Sequence, residues 1–262
     1  MLASVRLSSL GAISTFLLLS GSAQAASTVS IGTPTLIAAS TVNMTNDLGA
    51  GMTTNVDWIH FLSGNNGFHG LLNATAVVAP DLQKSVAVPF INRAITFTEH
   101  ASAGVNDWPE TKGGVTNGTS YSYSDAASVP NPDSIATEGF TQAGDFTLAI
   151  NVPDTNAYVL RIYGRDRWTP FQIKSAILSD GTTASAQAGG AATDLYRFDI
   201  AYQSATPNQT LTVTFGFDGN SQPASVGAAT LSTVPEPVSM SAMSIGALGL
   251  LRRRRATLIP NA

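Results

Sequence analysis

Three histidines, His60, His69 and His100, are the residues that with Asp57 or Glu99 would make a metal site in this chain. Their spacings match no helical ligand pair such as His-Glu-x-x-His. His60 also lies in an apolar alternation, where a hydrogen-bonded structural histidine is expected, so no metal site is assigned. Nucleophilic catalysis needs a serine positioned beside a histidine and an aspartate, and Gly-x-Ser-x-Gly is absent. Glycoside hydrolysis needs two facing carboxylates. Glu99, Glu110 and Glu138 are the glutamates between the two ends of the chain, and nothing in their spacing pairs them. The expectation is a protein that is not an enzyme and has no catalytic residues. A secreted polysaccharide-acting hydrolase is one alternative, and a purely structural, self-associating surface protein is another.

Binding chemistry is better represented. Trp108 lies in Asn106-Asp107-Trp108-Pro109-Glu110, and Trp168 closes Arg165-Asp166-Arg167-Trp168. An indole beside Asp, Asn and Arg suits a sugar, because the ring takes the apolar face and the polar groups take the hydroxyls. Trp108 and Trp168 are therefore the candidate carbohydrate contacts, with a core or loop-plug role open for both. Trp58, within a strand pattern, is expected in the core. Arg161, Arg165 and Arg167 would suit an anionic polysaccharide, although pairing with Asp166, Asp194 or Asp199 is the favoured reading. No cofactor is expected. Asp154/Asn156 and Asp218/Asn220 offer oxygens for a structural Ca²⁺, but ordinary turn chemistry explains them as well.

The two ends carry addresses. At the start, Arg6 precedes the apolar residues 10–19, and the small-x-small pattern Ala23-Gln24-Ala25 stands before Ala26. That is a signal peptide in residues 1–25, removed between Ala25 and Ala26. At the other end, Pro235-Glu236-Pro237 is followed by a mostly apolar run, 238–251, then Arg252-Arg253-Arg254-Arg255 and a short tail, 256–262. The prolines hold the preceding chain extended. Fourteen residues make a helix of about 21 Å, short against a hydrocarbon core of about 30 Å. The arginines resist translocation and keep their side cytoplasmic.

Pro-Glu-Pro, apolar helix and arginine cluster in that order resemble the PEP-CTERM sorting signal of proteins exported by Gram-negative bacteria. The resemblance implies processing near Pro235, Glu236 and Pro237 by an exosortase-type enzyme. It also implies transient residence in the inner membrane, then the cell surface or the extracellular space. The arginine quartet acts as the membrane stop. The apolar run is shorter than usual for the family, and seven residues follow the arginines. The implied partners are the processing enzyme and extracellular polysaccharide or neighbouring surface proteins.

Between these ends, residues 26–234 carry eight basic and sixteen acidic side chains, a net charge of −8. Such a domain lacks the basic footprint of a nucleic-acid binder. It has no cysteine, so its stability must come from core size and sheet closure. Phe146, Leu148, Ile150 and Val152 alternate with polar residues, a half-buried strand by its period of two. Tyr158/Leu160/Ile162, Phe171/Ile173/Ile177, Tyr196/Phe198/Ile200/Tyr202 and Leu211/Val213/Phe215/Phe217 follow, with a last strand near 225–231. Pro153-Asp154-Thr155-Asn156, Ser179-Asp180-Gly181 and Asp218-Gly219-Asn220 read as turns, and 184–192 as a flexible connection. In the first half, 52–61, 85–88, 94–99 and 120–123 are candidate strands, and 62–73 and 100–119 are long loops. The fold class is all-β, a single antiparallel β-sandwich over 26–233. The strand run ending in Ala-Ala-Thr-Leu-Ser resembles the jelly-roll or galactose-binding-like domains of exported PEP-CTERM proteins.

Overall fold

The computed structural model describes residues 26–37, 41–44, 54–60, 75–78, 82–99, 120–122, 140–142, 144–166, 170–189, 195–217 and 224–234. The expected signal peptide, residues 1–25, and the apolar run 238–251 lie outside the described residues. No helix among the described residues is long and apolar enough to cross a membrane.

The strands are β1 (Thr28–Ile31), β2 (Thr35–Ile37), β3 (Thr41–Asn43), β4 (Thr54–His60), β5 (Thr75–Val78), β6 (Leu82–Gln83), β7 (Ile95–Glu99), β8 (Ser120–Ser122) and β9 (Phe140–Gln142). They continue with β10 (Gly144–Val152), β11 (Ala157–Asp166), β12 (Phe171–Leu178), β13 (Thr183–Ala184), β14 (Gln187–Ala188), β15 (Leu195–Gln203), β16 (Gln209–Phe217) and β17 (Ala224–Thr233). One sheet runs β1-β15-β11-β17-β4-β6, with β2 added to β15 and β9 to β17; the other runs β13-β12-β16-β10-β7-β5, with β14 added to β12. Both are antiparallel throughout. The all-β antiparallel sandwich expected from the alternations is the fold.

From β10 onward the long strands change sheet at each step, so β10, β12 and β16 lie opposite β11, β15 and β17. Each can therefore point its apolar set at the other sheet across one core. Phe146, Leu148 and Ile150 meet Leu160, Ile162 and Ile200 there, and an aromatic row fills the middle. Phe97–Phe146, Phe146–Phe215, Phe171–Phe215 and Phe171–Phe198 have ring centroids 5.0–5.8 Å apart, within the range where tilted and offset pairs add to burial.

Local register departs from simple alternation at one informative place. A bulge between Ile173 and Ser175 turns Ala176 and Leu178 inward and leaves Ile177 exposed at 42%. The even alternation had placed Ile177 in the core; one extra residue reverses every position after it. Residues 85–88 are not a strand, while 187–188, within the expected flexible stretch, pair as β14 with Gln172 and Ile173.

The second departure is a third layer. Val159, Arg161 and Tyr163 share the outer face of β11, yet all are buried. A second apolar cluster, Val42, Met44, Trp58, Tyr163, Leu195 and Ala228 with Ile37 against it, covers that face. Its outermost element is β3, which pairs in parallel with β8. Trp58 is buried as expected, but in this layer and not between the sheets.

Candidate functional site

The polar side chains brought together among the described residues lie on the same outer face. Asn55 of β4, Arg161 of β11, and Thr230 and Ser232 of β17 are all buried. A bulge between Leu231 and Ser232 against Asp57 and Asn55 turns Asn55 to this side. The Asn55 amide donates to the Met44 carbonyl at 2.6 Å, tying the covering segment to the sheet. Ser232 Oγ donates to Asn55 Oδ1, and Arg161 donates to Ser232 Oγ at 3.1 Å. Arg161 Nε lies 3.6 Å from Asp199 Oδ1, whose carboxylate also takes a two-pronged grip from Arg197 at 2.8 and 3.1 Å. The chain of donors runs from a buried amide to a half-exposed ion pair at its margin. Leaving any buried member unpaired costs its desolvation, so the arrangement fixes how the outer layer seats.

Of the arginines singled out in the sequence, Arg161 pairs with Asp199 as the favoured reading had it. The side chains of Arg165 and Arg167, and Asp194, lie outside the described residues. Asn55 and Ser232 were not singled out, because polar residues alternating with apolar ones look solvent-facing until the covering layer is known.

Asp57 is a clamp. Its fully buried carboxylate accepts from the Trp58 N–H at 2.8 Å, the Ile91 N–H at 2.8 Å and Arg93 at 2.7 Å. That set pins residues 91–93 to the bulge of β4, and Lys84 adds a bond to the Asn55 carbonyl at 2.6 Å. His60 is buried two residues beyond Trp58, and desolvation lowers its pKa to about 3, so it is neutral in the fold. His69 and His100 lie outside the described residues. Among the described residues no three His, Asp or Glu side chains converge as a metal would need.

The turn residues proposed for Ca²⁺ are engaged locally. Asp154 accepts from the Asn156 N–H at 2.9 Å, the Asn156 amide at 2.8 Å and the Tyr158 hydroxyl at 2.9 Å. Burial and then the Asp154 carboxylate push the Tyr158 phenol up to about 12. Asp180, in the turn after β12, accepts from Ser27 Oγ and from the Thr182 N–H, and these donors hold its carboxyl below the usual range. Asp218/Asn220 lie outside the described residues.

Trp108, Trp168, Ala23, Ala25, Pro235, Glu236, Pro237 and Arg252 to Arg255 also lie outside them. Ala26 is exposed at the start of the described chain, and Val234 at its end still donates to the Ala157 carbonyl at 2.9 Å. In sequence, Trp168 lies two residues past Asp166, the last residue of β11.

No protein-family model matches the chain, and no curated protein matches it. Among solved structures it is similar to the enzymatically active domain of tailspike protein 4 of bacteriophage CBA120. The identity is 9% and the TM-score 0.25, over 67% of this chain and 22% of that one. The chain thus spans about a fifth of that protein's length. That neighbour is an enzymatically active domain, so the expectation that this protein is not an enzyme is not kept, although a likeness at this score argues for no activity either. Layered β scaffolds carry catalysis as well as binding, so missing motifs are no warrant for inactivity. At that score the likeness transfers no reaction, substrate or catalytic residue.

Proposed function

We propose that the chain is an exported surface or extracellular-matrix protein, processed at Pro235-Glu236-Pro237 by an exosortase-type enzyme and associated with extracellular polysaccharide. The observation that carries this reading is the order of breaker, apolar run and arginine quartet directly after the fold ends. β17 runs to Thr233, and Val234 makes a last sheet bond. The proposed signal therefore begins one residue past the sandwich, where a processing enzyme reaches it without unfolding anything. An acidic domain without thiols suits an extracellular setting, where it neither needs reduction nor adheres to nucleic acid.

The test is intact-mass and fractionation analysis of the native protein with and without the processing enzyme. The product is expected to start at Ala26, to end near Pro237 and to leave the membrane fraction only when the enzyme is present. A product that retains Asn261-Ala262 in the strain that has the enzyme sinks the reading. For the polysaccharide partner, the mature domain should be retained on the producer's own exopolysaccharide, and Trp108→Ala or Trp168→Ala should weaken that retention severalfold.

A further inference from the structure

The two ends of the folded domain emerge side by side. Thr28 pairs with Gln203, Gln203 pairs with Ala157, and the Ala157 carbonyl accepts from Val234. Three strand spacings separate the first of these residues from the last, about 14 Å. Ser27 is pinned to the same end, donating to Asp180 and accepting from the Ala205 N–H at 2.9 Å. The turns 153–156, 179–182 and 204–208 crowd around them, since Val152 pairs with Gln209 and the Ser179 N–H donates to the Thr210 carbonyl.

We propose that the precursor stands on the membrane on this end of the sandwich, with both cleavage sites beneath it. The inference rests on the export and processing reading above. Three residues separate Val234 from the apolar run, a reach of at most about 10 Å. The domain therefore cannot drift away from the lipid surface or lie far along it. The opposite end, where Asp166 pairs with Ala224 and Gln172 with Ala188, stands one β11 length further out, roughly 30 Å.

The membrane-facing end has its own chemistry. Its described segments 26–27, 153–156, 179–182, 204–208 and 234 contain Asp154 and Asp180 and no Lys, Arg or His. Each basic residue near an anionic leaflet adds about 1 kcal/mol of attraction; these turns contribute none, and the nearby Lys84 is engaged with the Asn55 carbonyl. The covalent tether is then the main hold on the lipid surface, and cutting it releases the domain.

The chain lacks cysteine, so single labels are unambiguous. In membranes from cells without the processing enzyme, full-length protein carrying Thr155→Cys or Ala188→Cys is labelled with a fluorophore. It is then challenged with lipids bearing a headgroup nitroxide. Both positions are exposed, so the fold should tolerate them. The Thr155 label is expected to be quenched severalfold more than the Ala188 label, and both labels should become insensitive once the tail is cut. Membrane-bound protein with equal quenching at the two positions, or more at Ala188, overturns the orientation. Recovery of the uncut protein in the soluble fraction overturns the export reading itself.

Discussion

The two faces of β11, in the middle of the eight-stranded sheet, are both buried, yet they are built from different chemistry. The inner face of β11 presents Tyr158, Leu160 and Ile162 to the other sheet, and the outer face presents Val159, Arg161 and Tyr163 to a thin covering layer. Inside, shape and area do most of the work, with the Tyr158 hydroxyl reaching Asp154 at the margin. Outside, a cover too small to supply a large apolar core is held by a directed chain, Arg161 to Ser232 to Asn55 to the Met44 carbonyl. The lesson is that burial of a strand face does not imply an apolar face. A small lid gains register from polar bonds that a large sheet gains from packing.

The contrast can be broken most forcefully from the inside. Phe215 sits between Phe146 and Phe171, and Phe215→Ala should cost about 3–5 kcal/mol through lost transfer energy and a cavity. Urea unfolding should show a single lowered midpoint, because both sheets share that core. Ser232→Ala should cost about 1–3 kcal/mol by stranding Arg161 and Asn55. It should also raise hydrogen exchange in 41–44 more than in β10. Equal exchange in both segments would mean the outer layer is not held separately.

The smallest effect per step belongs to His60, and it sharpens the contrast through pH. Its folded pKa is about 3 against 6.5 for the free side chain, so the unfolded chain takes up a proton first as pH falls. Its contribution is constant above about pH 6.5 and is lost progressively from there down to about 3, at roughly 1.4 kcal/mol per pH unit. Comparing wild type with His60→Gln at pH 7.5 and pH 5.5 isolates this from carboxylate titration. The variant should lose less stability over that interval.

How far the sequence could be read follows from these same residues. Phe146 to Val152 were legible because one face met a core and the other did not. Arg161 was legible as a paired residue, since a lone guanidinium on a strand seeks a carboxylate and Asp199 lies on the adjacent strand. Ile177 was not, because a bulge leaves no mark in the alternation before it. Asn55 and Ser232 were not, because their burial depends on β3, and nothing within β4 or β17 announces a partner layer. The short strands β1, β2, β5 and β9 also escaped notice. Three or four residues carry too little period, and pairing with longer strands defines them.

β17 is the last strand among the described residues, yet it lies inside its sheet, paired with β11 on one side and β4 on the other. A sheet with such a keystone stays split until its final ten residues arrive, leaving two unsatisfied strand edges in the interim. In the export reading proposed above, a chain emerging from its N-terminus would complete its fold only when Thr233 had cleared the export channel. That is one residue before Pro235-Glu236-Pro237 would follow. If the proposed signal is cut there, its place directly behind the keystone would make exposure of the cut report that the cargo is finished.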